Sequence, residues 1–377
     1  MLSLLKQNAV LCIAGALAFC SMFLIPPSLS YMDYLDFRVL TLLFCLMIVV
    51  SGFQTTGLFD WISNTLLRRA HSVKQLSLIL IFITFFGAMF ITNDVALIAF
   101  VPLSILVIEQ AVKENDLLKH KHSHILIVIV VLQTISANLG SMLTPIGNPQ
   151  NLYLYSLSEM SLFTFFKYTA PLTALSFLLL IIACNLSLPK IRMKAPNTVA
   201  PPLQKRPLCL YTVLFLLCLL TVAHLLQWQI LLLLVFVVIF LFARSLFKTV
   251  DYGLLATFVC FFIFIGNMGQ LEPVKQFLQS ILSGREIIVS ALASQVISNV
   301  PASILLSGFT TSYGAILMGV NIGGLGTLIA SLASLISWKQ YNNCKDAKPS
   351  KYFLTFTAYN MIFFILMLLF ALFIYHS

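Results

Sequence analysis

Amides, hydroxyls and glycines recur at matched places in two stretches of an otherwise apolar chain. Ala137–Asn151 reads ANLGSMLTPIGNPQN and Val320–Ser334 reads VNIGGLGTLIASLAS. Asn138 aligns with Asn321, Gly140 with Gly323, Thr144 with Thr327 and Ile146 with Ile329. Upstream of each lies a second matched element, ITNDVALI (Ile91–Ile98) and ISNVPASI (Ile297–Ile304). A helix broken inside an apolar run frees backbone N–H groups at its positive end and carbonyls at its negative end. Glycine lets backbone approach a ligand closely, as Gly140, Gly147, Gly323 and Gly324 would. Thr92, Asn93, Asn138, Thr144, Asn148, Asn151, Ser298, Asn299, Asn321 and Thr327 add neutral donors and acceptors. Such a set suits a small anion held by dipoles and a small cation held by carbonyl oxygens.

Asp94 differs from the other acids. Asp33, Asp36, Asp60, Glu109, Glu114, Asp116, Glu159, Asp251, Glu272, Glu286 and Asp346 lie in loops or near the ends of apolar runs, whereas Asp94 sits deep within one. An ionisable side chain at such depth is a functional hypothesis by default. It can hold a proton or a cation, and sodium is expected near Asn93, Asp94, Asn138 and Asn299. The second copy carries Val300 at the matched place, so the ion chemistry is asymmetric. No Lys or Arg is expected in the cavity. No resident metal or cofactor is expected, and proton and sodium both remain open as coupling ion.

These residues must be positioned by membrane helices. The 377-residue chain is 60% hydrophobic and 9% charged, far from the roughly one-quarter charged content of soluble domains. Long apolar runs recur, among them Val10–Ile25, Val39–Val50, Leu208–Ala223 and Phe353–Tyr375. The fold class is therefore an all-α polytopic membrane protein, with about nine full spans and two re-entrant hairpins. A net charge of +10 does not point to nucleic acid here, because the basic residues occupy short loops. With Lys6 cytoplasmic, tracing the spans leaves only Arg38, Lys167, Lys275 and Arg285 of the 22 Lys and Arg outside. The N-terminus is then inside and the C-terminus outside, in what is expected to be the plasma membrane. That tracing requires residues 76–108 and 286–309 each to return to the side they left. Arms of about ten residues around polar tips fall short of a span, so both read as hairpins entering from opposite faces.

Each half runs helix, helix, hairpin, broken helix, helix. Residues 1–188 and 229–377 form the two halves, with a basic, Pro-rich linker and one helix over 189–228 between them. The first half starts inside and the second outside, so they are inverted repeats, the arrangement that underlies alternating access in carriers. Residues 1–30 resemble a secretory signal, but the unpaired matching helix near Ile230–Ala243 argues for a retained first helix. The eight cysteines are scattered and read as packing residues. His120, His122 and His124 read as a solvated cytoplasmic run. The chain lacks the G-x-S-x-G and H-E-x-x-H motifs and paired membrane carboxylates, so it is not read as an enzyme.

TNDVALIAFVP, TGLFDW, NLGSMLTPIGNPQN, and the SNVPAS with NIGGLGTLIAS pair together resemble the ion-transporter superfamily. It includes arsenite permeases, sodium–proton antiporters, citrate carriers and divalent-anion–sodium symporters. The TND tip and TGLF segment look closest to the arsenite-permease and antiporter branch. The carboxylate symporters place SNT at both tips, whereas here the tips read Thr92-Asn93-Asp94 and Ser298-Asn299-Val300. The resemblance implies an elevator-like or rocking carrier, a homodimer, for a small anion or an oxyacid such as arsenite. The alternatives are a sodium–proton antiporter and a non-transporting membrane scaffold.

Overall fold

The computed structural model describes residues 9–114, 122–192, 202–344 and 346–376. Lys6, Asp116 and His120 lie outside the described residues. The chain is helical, in the order α1 (Ala9–Met22), α2 (Phe37–Thr55), α3 (Leu58–Leu67), α4 (Val73–Ile91), α5 (Asn93–Glu114), α6 (His122–Ser141), α7 (Pro149–Ser158) and α8 (Leu162–Ser187). After the linker come α9 (Lys205–Val222), α10 (Trp228–Phe242), α11 (Tyr252–Gly269), α12 (Glu272–Leu282), α13 (Glu286–Ile297), α14 (Asn299–Ser307), α15 (Tyr313–Gly323), α16 (Leu332–Asn342) and α17 (Pro349–His376). Among the described residues, eight helices are long and apolar enough to cross a membrane, or nine if the bent pair α12–α13 counts as one span. Shorter apolar helices cover Val10–Met22, Trp228–Phe242 and Tyr313–Gly323. This is an integral membrane protein.

α6 is the axis of the bundle. Every residue from Ile125 to Ser141 is buried, because its sequence is apolar or small on all sides and leaves no face for lipid or water. It packs against α4, α5, α8, α16 and α17. One hydrophobic cluster gathers α4, α5, α6 and α17; a second gathers α2, α9, α10 and α11. Val73 N–H donates to Ile191 O and Lys74 Nζ donates to Asn185 O, joining the start of α4 to the end of the first half.

The first hairpin departs from expectation. Its arms, α4 and α5, have 19 and 22 residues, so each is long enough to span, and shortness does not make it re-entrant. The apolar pattern runs on past the matched motif in both directions, and Pro102 sits inside α5 without ending it. In the second hairpin the arms are short, 12 and 9 residues in α13 and α14. Both matched motifs around 140 and 323 do interrupt helices. α6 gives way to α7 through residues 142–148, and α15 to α16 through residues 324–331.

Candidate functional site

Each hairpin turns on a single strained residue. Thr92 has φ 69° and ψ 154°, and Ser298 has φ 72° and ψ 155°. That region is almost reserved for glycine and costs about 1–3 kcal/mol. The two tips therefore share one unusual conformation, which the surrounding bonds hold in place. Asn93 N–H donates to Gly147 O at 3.2 Å, and Asn299 N–H donates to Ala330 O at 3.0 Å. Asn93 Oδ1 accepts from Asp94 N–H at 3.0 Å, and Asn299 Oδ1 accepts from Val300 N–H at 2.9 Å. Thr144 donates to Met89 O and Thr327 to Gln295 O, carbonyls at matched places in the arms. Each tip is thus stitched to the helix break of its own half.

A second set of bonds crosses between halves. Ser331, the residue before α16, donates to Asn138 Oδ1 at 3.0 Å. Asn148, which caps α7 by accepting from Asn151 N–H at 2.9 Å, donates to Asn321 Oδ1 at 3.0 Å. The residue opening the second segment of each broken helix therefore binds the asparagine of the other broken helix. Asn138 Nδ2 also donates to Gly324 O at 3.2 Å, and Asn138 Oδ1 accepts from Asn93 Nδ2 at 3.1 Å. Asn321 Nδ2 donates to Asn151 Oδ1 at 2.6 Å, and Asn151 in turn donates to the Ser141, Met142 and Thr144 carbonyls. In keeping with this exchange, α7 packs on α14 and α15, while α16 packs on α5 and α6.

The glycines sit elsewhere than ligand coordination would place them. A Cβ on Gly140 would press on the Phe85 backbone of α4, lying 2.9 Å from its C and 3.0 Å from its Cα as well as against its O. One on Gly323 would lie 2.6 Å from Ser294 Cβ and 3.0 Å from Ala291 O in α13. Both glycines seat a hairpin arm against the first segment of a broken helix. Gly147 lies against the Ser141 carbonyl, and Gly324 lies beside Asn299. Thr327 is exposed and bonded to Gln295.

A cavity of about 490 Å³ opens beside the first tip, between walls from the two hydrophobic clusters. Of the expected site residues it brings together Thr92, Asp94 and Asn148. Asn93, Asn138, Asn151, Ser298, Asn299 and Asn321 are buried behind or beyond it in the polar network. The amide oxygens of Asn93, Asn138 and Asn299 are already accepting hydrogen bonds. Asp94 Oδ1, by contrast, is buried with no hydrogen-bond partner, and its side chain lines the cavity. The expectation of no basic residue is corrected: Lys339 lines the cavity, as does a second acid, Asp251. Both come from segments remote in sequence that fold over the mouth. Gln295 is a further residue of the polar network. It donates to the Gly323 and Leu325 carbonyls at 2.8 and 2.9 Å, holding the break after α15; a polar residue inside an apolar arm was its only sequence signal.

The model of the citrate transporter family matches residues 3–312. The chain belongs to that family. An uncharacterised transporter of Methanocaldococcus jannaschii is 31% identical over 315 residues, covering 81% of this chain and 82% of its own length. The inner membrane protein YbiR of Escherichia coli is 30% identical over 318 residues, covering 83% and 82%. A silicon efflux transporter of Oryza sativa is 31% identical over 131 residues, covering 35% of this chain and 25% of its own length. The family lies within the superfamily that the paired motifs resemble, and the protein is a membrane transporter. The tips at Thr92 and Ser298 and the first broken helix fall inside the matched span, whereas α15 and α16 lie beyond it.

Proposed function

We propose that this transporter is an ion-coupled secondary carrier that moves a small anion or oxyacid by alternating access, with Asp94 as the group that binds the coupling ion. The observation that carries this reading is the unpartnered, buried Asp94 Oδ1 in a cavity beside a strained hairpin tip. A carboxylate there is costly unless it binds a proton or cation. The neighbouring start of α7, with Asn148 and Pro149 in the cavity wall, turns its positive end toward a bound anion. Sodium and proton both fit Asp94, and the family and the names of its relatives favour an anion or a neutral oxyacid as cargo.

Two halves with matched tips and exchanged bonds supply the two-fold element that alternating access uses. The loop residues Thr249 and Asp251 and the end of α16 at Lys339 fall on the side assigned to the cytoplasm by the distribution of basic residues, so the cavity is read as inward-open. A homodimer in the plasma membrane, N-terminus inside, completes the proposal.

The test is substrate flux in proteoliposomes with an imposed proton or sodium gradient. Asp94→Asn keeps size and most hydrogen bonding but cannot titrate. It should abolish gradient-driven accumulation while sparing passive exchange. Accumulation equal to the parent's would remove Asp94 from coupling. A second reading, sodium–proton antiport without an anion, is favoured by the presence of two carboxylates, Asp94 and Asp251, in one cavity. Sodium-dependent proton flux with no anion flux would select it.

A further inference from the structure

We propose that Asp251 and Lys339 form an ion-pair gate that closes the mouth of the Asp94 cavity. The proposal rests on the alternating-access reading above, and its test does not require substrate transport. The two residues approach the cavity from different walls. Asp251 follows a 3-10 turn, Arg244–Thr249, whose Leu246 is buried in the cluster built on α2, and Val250 beside it is buried there too. Lys339 lies in the last turn of α16, whose Ala333 and Tyr341 are buried in the cluster built on α6. Closing the cavity must bring these walls together.

Depth separates the pair from the ion site. α16 begins at the buried break, and Lys339 stands eight residues beyond Ser331, about 12 Å along the helix at 1.5 Å per residue. Lys339 and Asp251 are both exposed, while Asp94 Oδ1 is buried. In this open form Asp251 Oδ1 caps α11 by accepting from Leu254 N–H at 2.9 Å. Closure strips water from any charge at the mouth. Two like charges would oppose it, whereas opposite charges on facing walls offset that cost by pairing. Among the described residues lining the cavity, Asp251, Lys339 and Asp94 are the charged ones. The mouth thus carries one charge of each sign, on opposite walls.

Helix ends offer a simpler role for each residue, since an acid caps an N-terminus and a cation suits a C-terminus. The experiment separates the two. Ser51, which lines the cavity, is replaced by cysteine on a background lacking the native cysteines, and its labelling by a water-soluble maleimide is timed in purified protein. Lys339→Glu and Asp251→Lys each put like charges on both walls, and each should raise the labelling rate about threefold or more, an effect that shrinks in 1 M salt. The double exchange, Asp251→Lys with Lys339→Glu, should return labelling to the parent rate. Lys339→Glu leaves the α11 cap intact, so faster labelling there cannot come from fraying of α11. Unchanged labelling in Lys339→Glu, or a double exchange as fast as the singles, overturns the gate. Accumulation retained in Asp94→Asn with charge-dependent labelling intact overturns the coupling reading alone, whereas accumulation lost in Asp94→Asn with labelling unchanged in Lys339→Glu overturns the gate alone.

Discussion

Replacing Gly140 with alanine isolates the contact that seats the first hairpin. Alanine is favoured over glycine in a helix by about 1 kcal/mol, so an unconstrained site would gain stability. Here the new methyl group meets the Phe85 backbone of α4, with Phe85 C at 2.9 Å and Cα at 3.0 Å. Backbone within a helix cannot rotate away as a side chain can, so α4 must move off α6. Overpacking of this kind costs about 1–3 kcal/mol. The displaced arm also carries the tip, whose bonds from Asn93 to Asn138 and Gly147 are already 3.1 and 3.2 Å long. Losing both adds about 1–3 kcal/mol. After the helix-propensity gain, the net loss is about 1–5 kcal/mol by these increments. The assay pairs the thermal midpoint of detergent-solubilised protein with flux in proteoliposomes. Gly140→Ala should lower both. Gly323→Ala should lower them less, because backbone supplies only one of the three contacts its Cβ would make, Ala291 O at 3.0 Å, the others being Ser294 Cβ and Oγ. A Gly140→Ala protein with the parent's midpoint and flux, or one milder than Gly323→Ala, would refute the packing argument.

Thr92→Gly and Ser298→Gly should relieve strain of about 1–3 kcal/mol, less about 0.5–1 kcal/mol for the added freedom of the unfolded chain. The thermal midpoint should hold or rise while flux falls as the tip loosens; a clear drop in midpoint would show that neither tip is strained. Asp36 caps α2 by accepting from Val39 N–H at 2.9 Å, and burial raises its pKa despite that bond and nearby Arg38. A carboxyl raised on folding stabilises below its unfolded pKa, and that contribution is lost as pH rises through the folded value. Asp36→Asn, which still caps, should therefore leave the midpoint at neutral pH equal or higher and flatten its pH dependence in the acid range. A lower midpoint for Asp36→Asn at pH 7 would reverse the sign of this assignment.

Composition and local pattern settle the class of the molecule and the location of its breaks. A 60% hydrophobic chain has to bury its backbone polar groups in helices within a bilayer. Pairs such as Thr144 with Thr327 and Asn138 with Asn321 were legible because a duplicated local pattern produces a duplicated local geometry, down to the same strained tip at Thr92 and Ser298. Asp94 stood out because a charge deep in an apolar run is rare. Tertiary packing sets which partner each polar group takes. Ser331 pairs with Asn138 and Asn148 with Asn321, bonds between residues more than a hundred positions apart that no local pattern encodes. It likewise turned Gly140 from a presumed ligand contact into a packing contact with Phe85. Arm length in the first hairpin is not legible from the motif, because the polar residues mark where a helix turns, not how far its apolar arms extend. Lys339 and Asp251 read as ordinary loop and helix-end charges, since their place at one cavity mouth comes from the packing of two separate helix clusters.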